Sequence, residues 1–238
     1  MCPFSRTQLL FGHDAMQKLR DSHVAVFGVG GVGGYVVEVL ARSGVGSLTV
    51  VDNDCVDITN LNRQIIALHS TVGQYKVDVI ASRIHDINPD CRVTPLRMFY
   101  LPTNADTLDL SQFDYVVDCI DTVAAKLELI RRCHEQHVPI ICSMGAANKM
   151  DPTAFRVVDI NETQMDPLAK IIRKRLRKLG IPSLKVVYSE EPPLPYAEGE
   201  TPPTSATRRS IPASNAFVPA AAGLVIGGEV VKSLSFSK

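Results

Sequence analysis

The sequence contains no C-x-x-C pair, carries no net charge, and has no run of about 20 apolar residues of the kind a membrane span needs. Its six cysteines, Cys2, Cys55, Cys91, Cys119, Cys133 and Cys142, are widely scattered, which rules out a zinc site of paired cysteines and argues against a disulfide scaffold. The 25 basic and 25 acidic side chains balance, which excludes a wholly basic nucleic-acid binder but not a local basic patch. No basic-then-apolar pattern opens the sequence. The most apolar late stretch, Ala216 to Val231, is broken by Pro219, Glu229 and three glycines. The expectation is a soluble, cytoplasmic protein with no membrane partner.

What is present is ordinary for a globular chain: 238 residues, 45% hydrophobic and 21% charged. That is one large domain or two small ones, with enough core to fold unaided, and it excludes wholesale disorder. His23 to Phe27 reads as a strand, followed by a glycine turn and then by Val36, Val37, Leu40 and Ala41 at helical spacing. Ser47 to Val51 reads as a second strand, completing a βαβ unit. A helix is predicted from near Gly73–Lys76 to Asn88-Pro89, then strands over Cys91–Leu96, Tyr115–Ile120 and Val138–Cys142, with a helix capped by Thr122 between the last two. This alternation predicts an α/β fold with a Rossmann-like, mostly parallel, doubly wound sheet. From Met150 the pattern changes to a smaller mixed half. It has short strands at Phe155–Val158 and Lys185–Tyr188, a helix over Asp166–Leu179, a loop from Glu190 to Pro212 with six prolines, and a terminal helix over Ala216–Leu234. No internal repeat is visible.

Gly28-x-Gly30-x-x-Gly33, with Gly31 inside it, lies between a strand and a helix as a dinucleotide-type fingerprint requires. The glycines permit a tight turn and close backbone approach, and the helix N-terminus offers free N–H groups to a phosphate. Asp52 follows Gly33 by 19 positions, where a carboxylate reaches ribose hydroxyls. A packing turn without ligand is the plain alternative, and NAD or FAD would be the default ligand of the fingerprint alone. The neighbouring loops point elsewhere. Asp52-x-Asp54, Asn60-Leu61-Asn62-Arg63-Gln64 and Lys76 would all project from the C-terminal edge of the sheet, and two cations there suit a triphosphate. Asp121 ends another strand on the same edge, where a carboxylate can hold magnesium among phosphate oxygens. Each has a blander reading: Arg63 could pair with Asp54, Lys76 could be a solvated lysine, and Asp121 could cap its helix.

These motifs resemble those of the ubiquitin-activating-type adenylyltransferase superfamily, which includes the enzymes that adenylate sulfur carriers for molybdopterin and thiazole synthesis. The likeness runs from Arg6 to about Gly145 and includes Val72-Gly73-Gln74-x-Lys76, Ile87-Asn88-Pro89 and Asp118-Cys119-Ile120-Asp121. The resemblance implies that Asp52 binds the ATP ribose, that Asn60, Arg63 and Lys76 engage the phosphates, and that Asp121 binds magnesium. It also implies a homodimer in which Arg6 reaches into the partner's ATP site. The chain departs from carrier-activating members in lacking the zinc-binding cysteine pairs, so no structural zinc is expected. No cysteine follows Cys142, which leaves covalent transfer to a distal cysteine unsupported.

The distal half is similar to one branch, the tRNA threonylcarbamoyladenosine dehydratases. Met150-Asp151-Pro152-Thr153, Asp166-Pro167-Leu168-Ala169, Val187-Tyr188-Ser189-Glu190-Glu191 and Ser214 to Ala220 carry that likeness. It implies ATP-dependent adenylation of the threonyl carboxylate of a modified tRNA adenosine, followed by ring closure with release of AMP. The alternative is activation of the C-terminal glycine of a ubiquitin-like sulfur carrier, and a sulfur-relay protein stays open as a further partner. Residues 1–149 would then be the ATP-binding half and 150–238 the substrate-side half of one compact domain. Independently of any resemblance, Lys170, Arg173, Lys174, Arg175, Arg177 and Lys178 place six cations in nine residues, the footprint expected for a phosphate backbone. A solvated helix face is the bland reading of the same run. No residue stands out as the base for ring closure.

Overall fold

The computed structural model describes residues 3–201 and 212–236. The chain builds one seven-stranded sheet in the order β3-β2-β1-β4-β5-β7-β6. Its strands are β1 (His23–Phe27), β2 (Ser47–Val51), β3 (Arg92–Leu96), β4 (Tyr115–Asp118), β5 (Ile140–Ser143), β6 (Phe155–Asp159) and β7 (Lys185–Ser189). All neighbours are parallel except the β6–β7 pair. The central strands are buried nearly throughout, as their Val/Ile-rich runs require of a sheet covered on both faces. β3 is the exposed edge, and it is there that Pro95 is tolerated within a strand.

Strand order reverses at β1. The chain steps outward through β2 and β3, then returns to place β4 on the other side of β1, and ligands of open α/β sheets bind at such a switch point. Register sharpens this. Phe27 lies level with both Val51 and Asp118, so Gly28, Asp52 and Cys119 leave the sheet side by side. The helices α3 (Gly33–Arg42), α4 (Lys76–Ile87) and α5 (Val123–Glu135) carry the crossovers, as the periodicity predicts. Thr122 stands at the N-cap of α5 but makes no side-chain cap bond; its hydroxyl turns to Asp121 Oδ1 at 3.4 Å.

Two short helices that periodicity did not indicate, α1 (Ser5–Phe11) and α2 (His13–Asp21), precede β1. In the distal part, α6 (Pro167–Leu179) buries Ala169, Ile172 and Leu176 and leaves five of its six cations exposed. The last helix, α7 (Val218–Phe236), has the length predicted for it but lies two residues later, and by length and composition it meets the test for a membrane span that the apolar stretch Ala216–Val231 was expected to fail. Half of it is buried, with Ile226, Val230 and Val231 in the core, each contributing about 1.5–3 kcal/mol relative to exposure. Gly223 brings α7 against the start of α3, since a Cβ there would sit 2.4 Å from the Val32 carbonyl oxygen. Of the proline-rich loop, residues 190–201 form neither helix nor strand, and 202–211 lie outside the described residues.

Candidate active site

The turn after β1 is built for glycine at both ends. Gly28 has φ +83°, and a Cβ on it would meet the Cys119 carbonyl oxygen at 2.8 Å. A Cβ at Gly33 would lie 1.8 Å from the Gly28 carbonyl oxygen, so the helix can start close to the strand only without a side chain. Gly30 differs. A Cβ there would find nothing nearer than Gln64 Nε2 at 3.6 Å, and the residue faces open space. Protein packing does not require that glycine, whereas a ligand lying on the turn would.

Asp52 ties this turn to the end of β2. Its Oδ2 accepts the Val29 N–H at 2.9 Å and its Oδ1 accepts the Asp54 N–H at 2.9 Å. A carboxylate has about four acceptor positions, so both oxygens keep capacity for a ligand hydroxyl. The following loop is set by a capping box in which Asp57 accepts from Thr59 and Asn60 Oδ1 accepts the Asp57 N–H at 3.1 Å. That box buries Asn60 and places Arg63 one turn on.

The two cations of this edge have different surroundings. Lys76 Nζ pairs with Asp54 Oδ2 at 2.8 Å, the lysine side chain 7% exposed and the aspartate 59%. The lysine is therefore not a solvated first-turn residue, and it, not Arg63, takes Asp54. Arg63 donates from Nη1 to the Thr59 carbonyl at 3.0 Å and to Asn62 Oδ1 at 2.9 Å, and no carboxylate pairs with it among the described residues. Burial draws its pKa below the usual arginine value, yet a guanidinium stays charged at neutral pH.

These groups line one cavity of about 560 Å³. Gly28, Gly30, Gly31, Asp52, Asp54, Asn60, Arg63, Lys76 and Asp121 all contribute to its wall. Gly33 does not, since it serves packing behind the turn, and Arg6 lies exposed on α1, away from the lining. Sequence reasoning missed Met98, Phe99 and Tyr100 after β3, Ala146 and Ala147 after β5, and Pro219 at the start of α7. Only the last had a local signal, in the run from Ser214 to Ala220. Gln64 also lines the cavity, and its buried Oε1 has no hydrogen-bond partner. An unsatisfied polar atom of that kind calls for a partner from a ligand or solvent.

Residues 4–237 match the ThiF family. The chain belongs to that family. Over 238 residues it is 48% identical to the tRNA threonylcarbamoyladenosine dehydratase of Bacillus subtilis, covering 97% of this chain and 94% of that protein. To the Escherichia coli protein of the same name it is 43% identical over 174 residues, 73% of this chain and 65% of that one. The crystal structure of the Escherichia coli enzyme in complex with ATP superposes with a TM-score of 0.86 at 35% identity, covering 98% of this chain and 93% of that one.

Within this ThiF-family chain, the basic helix is fastened to the cavity. Asp166 is buried; its Oδ1 caps α6 by accepting the Ala169 N–H at 2.8 Å, and its Oδ2 accepts the Gly145 N–H at 3.0 Å. Gly145 directly precedes Ala146 and Ala147 of the cavity wall. The six cations of α6 are not equivalent. Arg173 Nη1 donates to the Ile160 carbonyl at 3.1 Å and to the Thr163 carbonyl at 2.9 Å, so it staples the preceding turn and is not an outward phosphate contact. Lys170, Lys174, Arg175, Arg177 and Lys178 are exposed, and no carboxylate pairs with them among the described residues.

Proposed function

We propose that this chain is an ATP-dependent tRNA threonylcarbamoyladenosine dehydratase. The observation that carries the reading is the convergence of a glycine turn, Asp52, Arg63, Lys76 and Asp121 on a single cavity at the switch point of the sheet. The full-length likeness to the Bacillus subtilis enzyme supplies the substrate class.

ATP fits the wall described above. The open face of Gly30 leaves room for phosphates at the start of α3, Asp52 keeps acceptor capacity for the ribose, and Asn60, Arg63 and Lys76 would bind the phosphates. Among the described residues no group of three His, Cys, Asp or Glu side chains could hold a metal by itself. Magnesium nevertheless fits, because it is commonly bound by one or two carboxylates together with phosphate oxygens, and Asp121 supplies such a carboxylate. When bound, magnesium would neutralise charge on the phosphates.

The chemistry solves a leaving-group problem. A threonyl carboxylate oxygen attacks the α-phosphorus of ATP, pyrophosphate departs, and the acyl group becomes an adenylate. A nitrogen of the same modified nucleoside then attacks that carbonyl carbon, and AMP leaves with the former carboxylate oxygen, so the net change is loss of water. Arg63 and Lys76 would stabilise charge growing on the phosphates. An internal nucleophile needs no enzyme cysteine.

The reading assigns ATP to residues 1–149 and tRNA to residues 150–238, with the five exposed cations of α6 drawing the phosphate backbone. It includes a homodimer, in which exposed Arg6 serves the cavity of a second copy. Leu9 and Leu10 on the same helix, 89% and 80% exposed, support burial there by a partner. The five free cysteines among the described residues support a reducing, cytoplasmic setting.

The test is ATP–pyrophosphate exchange with three candidate acceptors: threonylcarbamoyladenosine-bearing tRNA, a ubiquitin-like sulfur carrier, or nothing. Exchange driven by the modified tRNA, with formation of the cyclised base, is expected. Exchange driven by the carrier alone would replace this reading with carrier activation.

A further inference from the structure

Behind the cavity wall lies a charged pair, neither member of which lines the cavity itself. Asp118 ends β4 and Lys126 stands in α5, and both side chains are 0% exposed. Lys126 Nζ donates to Asp118 Oδ2 at 2.7 Å and to the Ser143 carbonyl at 3.1 Å. Asp118 Oδ1 accepts the Ile120 N–H at 3.0 Å. The ends of β4 and β5 and the beginning of α5 are thus joined at one ammonium group.

What this knot encloses is informative. Between Asp118 and Lys126 run Cys119, Ile120, Asp121 and Thr122, all four of them in the cavity lining. Three residues beyond Ser143 comes Ala146, followed by Ala147, both also in the lining. Stability alone gives little reason for ions in this place. Removing two charges from water offsets much of their attraction, and a well-packed apolar pair of similar volume is often as stable or more so. The ion pair adds a fixed distance and direction at the root of the loop that presents Asp121.

We infer that Asp118 and Lys126 are positioning residues that set the Asp121 carboxylate and the 146–147 segment against the bound nucleotide. The inference rests on the proposed function, in which Asp121 works at the ATP phosphates.

The test uses the full chain with Asp118→Asn, Lys126→Met, and both substitutions together. Three quantities are read: the melting temperature, ATP affinity by calorimetry with and without magnesium, and ATP–pyrophosphate exchange. Each single change strands a charge in the core and should lower the melting temperature, whereas the double change removes both charges and should recover most of that loss. In the double variant the gain in ATP affinity on adding magnesium should fall by about 10–100-fold, the usual effect of losing a group that orients a ligand carboxylate. ATP affinity without magnesium should fall by less, because the glycine turn and Asp52 are untouched and only the 146–147 segment loses its anchor. A double variant with both wild-type stability and the wild-type magnesium gain would overturn the inference and leave the pair as core structure. Should the double variant not fold, Lys126→Gln retains an N–H donor and is read the same way; an unchanged magnesium gain there overturns the inference too. A wild-type protein showing no magnesium gain at all would overturn the role of Asp121, and this inference with it.

Discussion

Arg63 and Lys76 stand in the wall of a cavity, while Lys174, Arg175, Arg177 and Lys178 stand on the outer face of α6. Both regions are cationic, yet the physics differs. Two unit charges 4 Å apart interact by about 1 kcal/mol in bulk water and by about 4 kcal/mol at the effective dielectric near a protein surface. A cation in a wall shielded from solvent therefore acts strongly on one ligand group at a fixed place. Cations on an open helix face act weakly, together, and under salt screening. The first arrangement suits chemistry on a phosphate. The second suits holding a long polyanion.

The largest expected effect lies in the cavity. Arg63→Ala should lower the rate of adenylation by about 10²–10³-fold, the range found when one preorganised donor to developing charge is lost. Its tRNA affinity should stay close to wild type. Pyrophosphate exchange at saturating ATP measures the first quantity and filter binding the second. A variant that loses tRNA affinity but keeps its exchange rate would dissolve the distinction between the two regions.

The proposed homodimer yields the next effect. Arg6→Ala and Asp121→Ala are each expected to be nearly inactive alone. Mixed into heterodimers, they should recover activity, because one of the two cavities then has both its own Asp121 and the partner's intact Arg6. Verified heterodimers without recovery would place Arg6 at work within its own subunit.

A smaller effect separates the cations of α6 from one another. Replacing Lys174, Arg175, Arg177 and Lys178 by Gln removes up to four phosphate contacts. The dependence of log affinity on log salt should flatten by about three units, at roughly 0.7–0.9 per contact. Arg173→Gln should leave that slope nearly unchanged and instead destabilise the fold by about 1.5–3 kcal/mol, since the guanidinium holds the Ile160 and Thr163 carbonyls. At this chain length that is about 2–4 °C in Tm per kcal/mol. If Arg173→Gln flattened the salt slope as much as one member of the outer set, its hydrogen bonds to the turn would not be its main role.

The same comparison explains what the sequence could convey. The glycine turn, Asp52 and Asp121 were legible because backbone geometry confines such residues to particular places at strand ends. The order of helices and strands from β1 onward followed from periodicity, including the start of α6 near Asp166. Partnership was not legible. Nothing local says that Lys76 takes Asp54 in preference to Arg63, or that Arg173 alone among six neighbouring cations turns back to its own fold. The Asp118–Lys126 pair was equally silent, because a separation of eight positions matches no local rule and only the folded strand end brings them together. The short helices α1 and α2 carry too few turns for a clear period.

The smallest effect expected in the cavity concerns its one cysteine. Cys119 lies in the lining beside Asp121, where a nucleophile for covalent transfer would have to stand. Burial, reinforced by the nearby Asp118 carboxylate, pushes its thiol up to about 12. At neutral pH the reactive thiolate is then below about one part in ten thousand, whereas catalytic cysteines are held at or below neutrality by nearby positive charge. Lys126 is close enough to oppose this trend but is already engaged by Asp118 and the Ser143 carbonyl. Cys119→Ala should therefore keep adenylation and cyclisation within about threefold of wild type, with a modest loss of stability from the small void it leaves. Intact-mass analysis of the wild-type protein quenched during turnover should find no acyl group or extra sulfur on Cys119. A trapped thioester or persulfide there, together with loss of turnover in Cys119→Ala, would move the chemistry from an internal nitrogen to an enzyme thiol.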